Sequence, residues 1–530
     1  MDARPPPKLL HPMSRGTTNL LIVACTLLLL YACFVFRDTI PAASGTGYDG
    51  GRYAAWAKTL GIGSLIDSAE ARWQPPRPDA ERPLDTYYAR RILPSLAVHY
   101  VLMGTRAERS TATVILAFAA LNIVLLLITV ICWLKAADTL QLGTNAKWIG
   151  VVGLIVSYGN LKMPLYYPTL TDTAALAAGA ACTLFHLQGR RAALWFTALA
   201  GGFIWPSFTY FGFLLLAFPR TEPRPDRPGP RGLNIAIALV IAVGAVIAIE
   251  LLFHNGYELR NTPVRPITSL RFASELIVGA YLFFGIRALL DSRALWESLQ
   301  PRALVSGSGF LEACLLLLVS EAVVRIIAPL PPEVTGREAL SNYLISAVVQ
   351  PFTFFLAHVL YFGPVLVFLL FAWPSVAARV RQLGTGATAF CAAAMLMSIG
   401  SESRQLINAV PFVMLVLAPS LEHVVRSWRR WTVFAAVTFI CSKVWLPMDR
   451  TLSVPYLGAV DWRAFYVSSR GPWIEHPVYL GQFVALVPAA VVFYYWYRSE
   501  RTLMQPATTV ADPRRALNQR AAEATSGGQG

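Results

Sequence analysis

The chain repeats uninterrupted apolar runs close to 20 residues long between Thr17 and Trp496. A helix of that length crosses a hydrocarbon core about 30 Å thick, where the backbone must satisfy its own hydrogen bonds. The composition agrees, because 55% of the 530 residues are hydrophobic and only 14% are charged, against about 25% charge in soluble domains. These runs predict an all-α, polytopic transmembrane helix bundle of about 12 to 14 spans over residues 17–497.

Positive residues are concentrated in the hydrophilic stretches between the apolar runs. The main groups are Arg190–Arg191, residues 220–231 and Arg426–Arg430. Because cytoplasmic loops collect Lys and Arg, we predict a multi-pass protein of the plasma (inner) membrane with residues 1–16 and 498–530 in the cytoplasm. The second of these segments is polar and low in aromatics, which predicts a disordered tail.

The net charge of +15 does not indicate nucleic-acid binding. A nucleic-acid surface needs a basic patch on a folded unit, and the positive residues here follow the membrane pattern instead. All seven cysteines lie within apolar runs and lack zinc-site spacing, so no metal ligands are predicted among them.

The same charge rule assigns residues 38–110 to a long external loop. Two stretches within it, one after Gly51 and one from Tyr88 to Met103, have the apolar pattern of amphipathic surface helices. The rule also requires the run 192–218 to be split at Trp205–Pro206, because a single crossing would place the basic stretch 220–231 outside.

Asp49 is the strongest catalytic candidate. It lies in the external loop between Tyr48 and two glycines, just before an amphipathic stretch. A carboxylate at the bilayer surface beside aromatic rings is suited to deprotonate a hydroxyl acceptor. An N-cap role for Asp49 remains open. Asp38, one residue past Arg37 at the membrane edge, is an interfacial charge or a supporting catalytic group.

Further candidates occur in three segments at the same predicted membrane face. In each segment, acidic, aromatic or arginine side chains lie at the end of an apolar run. An arginine in such a position can bind a phosphate through two parallel hydrogen bonds. Among the arginines the sequence favours Arg404 as the phosphate ligand. The predicted substrate-binding residues are Asp85, Tyr88, Arg90, Arg91, Tyr166, Tyr167, Asp172, Glu402 and Arg404.

The segments YDGGRYAAWAK, YYARRILP, PLYYPTLTDTAAL and SESRQLINAVPF together resemble the layout of GT-C-type integral membrane glycosyltransferases. The resemblance covers roughly residues 17–420. It implies an inverting transfer at the outer face, from a polyprenyl-phosphate-linked sugar to a glycan, lipid or protein acceptor, with Asp49 as base. Many members carry two adjacent acids in this loop, whereas here Gly50 and Gly51 follow Asp49. A divalent cation therefore stays open as a cofactor.

Two other classes stay open on the sequence. A lipid-linked glycan flippase or transporter would also be polytopic and basic, although it would more often show internal repeats and charges deep within its spans. An O-antigen-ligase-like or polymerase enzyme would carry functional residues on a late external loop. The loop Pro447 to Pro477, with Asp461, Arg463 and His476, meets that description.

Overall fold

The computed structural model describes residues 14–47, 49–61, 85–218, 220, 227–259, 266–300, 308–328, 336–446, 471 and 474–504. The described residues form helices and connecting turns and no β-strand, which confirms the all-α prediction. The helices of the first part are α1 (Arg15–Val35), α2 (Gly50–Thr59), α3 (Thr86–Ala89), α4 (Leu93–Gly104), α5 (Thr111–Thr139), α6 (Thr144–Ile155), α7 (Met163–Tyr166), α8 (Asp172–Leu187), α9 (Arg191–Gly201) and α10 (Phe208–Ala217).

The second part continues the bundle with longer apolar helices. Short 3₁₀ turns separate several of them, including one over Ser403–Leu406. The helices are α11 (Arg231–His254), α12 (Arg271–Leu290), α13 (Arg293–Ser298), α14 (Ser308–Ile327), α15 (Gly336–Ser346), α16 (Thr353–Phe362), α17 (Val367–Gln382), α18 (Thr385–Met397), α19 (Val410–Val424), α20 (Trp428–Ser442) and α21 (His476–Met504).

Six segments of the described chain are helices long and apolar enough to cross a membrane. A seventh arises if α6 and residues 158–166, which are bent by 69° at their break, count as one span. Several of the remaining predicted crossings correspond to apolar helices of only 10–17 residues, such as α10, α18 and α19. The membrane helix bundle is therefore confirmed, while the count of 12 to 14 spans stays a prediction that depends on these shorter helices.

Hydrogen bonds connect helix ends that the charge rule assigns to the cytoplasmic side. Asn19 near the start of α1 donates to Asp138 at the end of α5 (2.7 Å), and Lys147 near the start of α6 pairs with the same carboxylate. Arg430 and Glu500 pair at 2.6 Å between the start of α20 and the end of α21. Each of these contacts agrees with the predicted alternation of helix direction.

The predicted split of residues 192–218 is confirmed. Helix α9 ends at Gly201 and α10 begins at Phe208, so the break contains Trp205–Pro206. The two helices pack directly, since a Cβ at Gly201 would lie 2.6 Å from the Phe208 ring. The Arg220 guanidinium donates to the Leu187 carbonyl, which brings both ends of this helical hairpin to one end of the bundle.

The predicted external loop contains two helices, α2 and α4, that pack against the bundle. Tyr53 and Ala57 of α2 are buried with Val98 of α4 and Phe118 of α5 in one apolar cluster. Helices are present in both stretches, while their placement at the outer membrane surface stays a prediction. The proline-rich stretch between them lies outside the described residues. The packing fixes the start of α2, where Asp49 stands.

The predicted boundary of the C-terminal tail needs adjustment. Helix α21 continues to Met504, so residues 498–504 are helical. Residues 505–530 lie outside the described ranges, as do residues 1–13 and most of the late loop 447–477.

The placement of helix ends gives a direct topology test. Ser44 and Thr144 are both exposed, at opposite ends of the bundle. In a Cys-free variant, we expect Ser44→Cys to react with an impermeant thiol reagent added to intact cells, and Thr144→Cys to react only after the cells are opened. Labelling of position 144 but not 44 in intact cells would show that the protein has the opposite orientation in the membrane. Thr221, in the basic loop, lies outside the described residues.

Candidate functional site

Asp49, Arg91, Tyr167, Asp172 and Arg404 meet near the start of α2, and we call this group the Asp49 site. Arg404 holds Asp172 through two parallel hydrogen bonds, Nε to Oδ1 at 2.8 Å and Nη2 to Oδ2 at 3.0 Å. The remaining Arg404 nitrogen, Nη1, lies 3.8 Å from Asp49 Oδ2. The Asp49 side chain is 49% exposed, against 10% for Arg404 and 6% for Asp172. Asp49 is thus the accessible carboxylate of the pair that flanks Arg404.

Glycines place Asp49 against the ring of Tyr167. The Gly50 N–H donates to the Tyr167 hydroxyl at 3.1 Å. A Cβ at Gly50 would lie 1.9 Å from Thr169 Oγ1, and one at Gly47, where φ is +68°, would lie 2.2 Å from the Tyr167 ring. No side chain other than hydrogen fits at either position without a shift of the neighbouring segment.

The Asp49 carboxylate does not cap helix α2. Asp49 occupies the N-cap position with helical backbone angles, and its side chain accepts no capping hydrogen bond. N-cap residues normally have extended angles and a side chain turned back to the helix. The capping role is therefore wrong for Asp49, and its carboxylate remains turned toward Arg404 and solvent.

Two tyrosines, Tyr87 and Tyr167, lie at the Asp49 site, and both keep their hydroxyl protons near neutral pH. Burial raises the pKa of Tyr167 to about 12. Burial also raises the pKa of Tyr87, and the charges of Glu402 and Asp49 raise it further, against the opposing effect of Arg91 and Arg404. The charge of Glu402, two residues before Arg404 in the chain, therefore acts on the same hydroxyl as the charge of Asp49. Neither tyrosine is suited to be a base near neutral pH, which leaves that role to a carboxylate.

Arg91 is a buried cation with aromatic neighbours. Only 3% of the residue is exposed. Its guanidinium carbon lies 4.5 Å from the Tyr87 ring centroid and 4.0 Å from that of Trp205, and Arg404 approaches the same Trp205 ring at 5.8 Å. Its buried Nε has no hydrogen-bond partner, and neither has the indole nitrogen of Trp205.

No carboxylate of the described residues lies within ion-pair distance of the Arg91 guanidinium. A buried charge is costly unless it is paired, and cation–π contacts with two rings offset only part of that cost. Arg91 and the Trp205 indole together present unsatisfied donors near Asp49. This arrangement is suited to an anionic ligand.

Arg90 and Asp85 take part in local structural contacts. Arg90 Nη2 pairs with Glu321 Oε2 at 2.5 Å, and Glu321 also pairs with Arg325, four residues later on α14, at 2.9 Å. Asp85 accepts the Tyr88 N–H at 2.9 Å and so caps the short helix α3. The structure does not bring these two side chains to the Asp49 site.

Tyr88 belongs to an aromatic cluster beneath the loop helices. Its ring meets those of Tyr53, Trp56 and Tyr87 in edge-to-face contacts with centroids 4.9–6.1 Å apart. The Arg52 guanidinium covers its face at 4.4 Å. Tyr88 therefore supports Tyr87 and the start of α2 by packing.

Asp38 and Tyr166 lie in a separate crevice. Lys162 Nζ pairs with Asp38 Oδ2 at 3.3 Å and lies 5.7 Å from the Tyr166 ring centroid. The described contacts of Asp38 thus connect it to the break after α6 and not to Asp49. Its supporting catalytic role stays a prediction.

Sequence reasoning missed the residues that support Asp172 and Arg404 from within the bundle. The Tyr361 hydroxyl donates to Asp172 Oδ1 at 3.4 Å. His358 donates from Nε2 to the Ser398 carbonyl (2.7 Å), so its Nδ1 accepts from Ser403 (2.9 Å) beside Arg404. Both His358 and Tyr361 stand inside the apolar run of α16, where a single polar side chain gives no signal of its partner.

The site has no evident cluster of metal ligands. Across the described ranges, no three His, Cys, Asp or Glu side chains come close enough to hold a metal ion. Asp49 and Asp172 lie on either side of the Arg404 guanidinium, so that cation already occupies the space between them.

The Asp172–Arg404 pair gives a stability prediction. Asp172→Asn leaves Arg404 as a buried charge without its counterion, so we expect a loss of about 3–5 kcal/mol in the free energy of unfolding. Thermal unfolding of the purified parent and variant proteins in detergent measures this loss of stability. Glu297→Gln, which removes an exposed i,i+4 partner of Arg293, is the control and should change little.

The double variant Asp172→Asn/Arg404→Gln removes both charges. It should recover part of the stability lost in Asp172→Asn. An Asp172→Asn protein that melts with the parent would show that the buried pair contributes nothing to the fold.

No protein-family model matches this sequence, and no curated protein matches it. The functional argument therefore depends on the chemistry of the Asp49 site. That site combines an accessible carboxylate, a buried guanidinium that no described carboxylate pairs with and a rim of aromatic rings, at one end of an apolar helix bundle.

Proposed function

We propose that this chain is a GT-C-type membrane glycosyltransferase that uses a polyprenyl-phosphate-linked sugar. The acceptor hydroxyl would belong to a glycan, a lipid or a protein at the extracytoplasmic face of the plasma membrane. One observation supports this proposal most: Arg404, 3.8 Å from the half-exposed Asp49 carboxylate, and the buried Arg91 lie over the same Trp205 ring. No described carboxylate pairs with Arg91. Transfer from a sugar phosphate needs both a base for the acceptor and a cation for the leaving phosphate.

Each group has one role in the proposed transfer. Asp49 takes the proton of the acceptor hydroxyl while that oxygen bonds to the anomeric carbon. The bond from the anomeric carbon to the phosphate oxygen breaks, and the polyprenyl phosphate leaves with the electron pair. Attack from the face opposite the leaving group inverts the anomeric centre. Arg91 and the Trp205 N–H bind the phosphate oxygens and stabilise their growing charge.

Arg404 acts as a positioning residue in this scheme. Its charge is neutralised by the bidentate contact with Asp172, and its third nitrogen lies near Asp49. A guanidinium already held by one carboxylate and approached by a second has little capacity left for a phosphate. The sequence favoured Arg404 as the phosphate ligand, and the contacts favour Arg91.

A lipid-linked glycan transporter is the second candidate, and one observation favours it. Residues 144–155 and 158–166 form a pair of helices bent by 69°, and discontinuous helices often form the substrate sites of transporters. A transporter would move the lipid-linked sugar without breaking the sugar–phosphate bond. Consumption of donor therefore separates the two classes.

The base assignment predicts a large loss in Asp49→Asn. We expect turnover to fall by about 10²-fold or more, because general-base contributions are typically 10²–10⁴. The assay follows release of undecaprenyl phosphate from a panel of undecaprenyl-phosphate pentoses and hexoses by the protein in proteoliposomes. Asp38→Asn, whose carboxylate pairs with Lys162 away from the site, is the matched control. Equal turnover in Asp49→Asn and the parent would remove Asp49 as the base.

The phosphate assignment predicts different effects at two neighbouring arginines. Arg91→Lys loses the planar fork and its stacking on Trp205, so we expect the donor KM to rise roughly 10-fold. Arg90→Lys keeps a charge opposite Glu321 and should leave the donor KM unchanged. Donor titrations of both variants measure this. A parental KM in Arg91→Lys and Arg91→Gln would place the phosphate elsewhere.

A further inference from the structure

A crevice of about 230 Å³ lies between α1, the break after α6 and α20. Its walls are mainly apolar and come from Leu29, Cys33, Phe36, Leu165, Phe439 and Val444. Three charged side chains, Arg37, Asp38 and Lys162, line the same space. The crevice thus combines an apolar wall with a charged end, as a site for an amphiphilic ligand does.

The charges in the crevice do not cancel. Lys162 is buried, with 6% of its side chain exposed, and it pairs with Asp38 while also donating to the Leu446 carbonyl at 3.1 Å. Arg37 donates to the Phe34 carbonyl at 2.7 Å and covers the Phe34 ring. No carboxylate of the described chain lies within ion-pair distance of the Arg37 guanidinium. Two cations therefore face one carboxylate.

The helices that line the crevice expose apolar side chains that a bilayer would cover. Leu28 and Tyr31 of α1 are 68% and 64% exposed, and Phe36 beside the charged groups is 83% exposed. Phe439, which lines the crevice from α20, is also exposed, as is Trp445, the residue after the lining residue Val444. Long apolar helices that expose such side chains are solvated by lipid tails, so a lipid can enter the crevice without leaving the membrane.

We propose that this crevice binds one anionic phospholipid of the surrounding bilayer. The phosphodiester headgroup lies at Arg37 and Lys162, and one acyl chain lies along Leu29, Cys33 and Phe439. A single negative charge complements two cations and one carboxylate, whereas a phosphate monoester would bring a second charge. Arginine and lysine at an interface contribute attraction to anionic headgroups.

Lipid binding in the crevice would affect the Asp49 site through a backbone connection between the two. Tyr166 lines the crevice, and its carbonyl accepts the Ile40 N–H at 2.8 Å. The next residue, Tyr167, holds Gly50 beside Asp49. A lipid that steadies this segment would steady the start of α2. The binding itself can be measured without reference to any transferase activity.

Native mass spectrometry of the full-length protein released from detergent tests the proposal. The protein is titrated with phosphatidylglycerol and, separately, with phosphatidylcholine. We expect retention of one phosphatidylglycerol, weakened at least 5-fold in Arg37→Gln. The double variant Asp38→Asn/Lys162→Met removes the buried pair without leaving a lone charge, and should weaken retention similarly. Arg109→Gln, an exposed arginine at the same end of the bundle, should retain lipid like the parent.

Cys33 provides an independent readout in bilayers. In a variant that keeps only this cysteine, phosphatidylglycerol should slow its reaction with a membrane-soluble maleimide, and phosphatidylcholine should not. Equal retention in parent and Arg37→Gln, or equal retention of both phospholipids, would overturn the proposal. Undecaprenyl phosphate that displaces phosphatidylglycerol from the crevice would also overturn it, because the crevice would then belong to the path of the proposed donor.

Discussion

The bidentate pair between Arg404 and Asp172 is the interaction on which the Asp49 site depends. Asp172 begins helix α8, and Arg404 stands in the short turn before α19. Their two hydrogen bonds tie parts of the chain 232 residues apart. Tyr361 donates to the same carboxylate from a third helix. Asp49 then completes the arrangement from the start of α2, so four separate segments share one charged centre.

The packing of this centre explains why small residues surround it. Gly179 of α8 passes so near the chain at Asn408 that a Cβ there would lie 2.1 Å from the Asn408 carbonyl oxygen. This close approach brings the start of α8 beside the Arg404 turn. Gly47 and Gly50 allow an equally close approach on the loop side. The charged groups can meet because backbone, rather than side chain, fills the space between the segments.

Much of the fold can be predicted from the sequence, because the length of each apolar run and the positions of the arginines between runs can be read from short segments. The break at Trp205–Pro206 could be predicted for this reason, since a continuous helix there conflicted with the charge rule. The short helices α10 and α16 are harder to interpret from the sequence. A run of ten apolar residues fits half of a broken membrane span or a buried helix equally well. Length alone does not decide between them.

Part of the candidate site could be picked out from the sequence, but not the contacts within it. Asp49, Asp172 and Arg404 were all singled out, because charges at the ends of apolar runs are conspicuous. Their pairing was not, since it depends on contacts between distant segments. Arg90 and Arg91 are adjacent and chemically identical in the sequence, yet one pairs with Glu321 and the other is buried against Trp205. Only the direction of each side chain separates them.

The separation of Asp172 and Arg404 along the chain has a consequence for biogenesis. At synthesis rates of about 5–20 residues per second, the ribosome makes Arg404 roughly 10–50 s after Asp172. During that interval α8 enters the membrane with a carboxylate whose partner does not yet exist. The early helices must therefore stay loosely assembled, or keep the start of α8 at the water interface, until the second half of the bundle arrives. The site is thus among the last parts of the protein to form, although its first residue, Asp49, is among the earliest made.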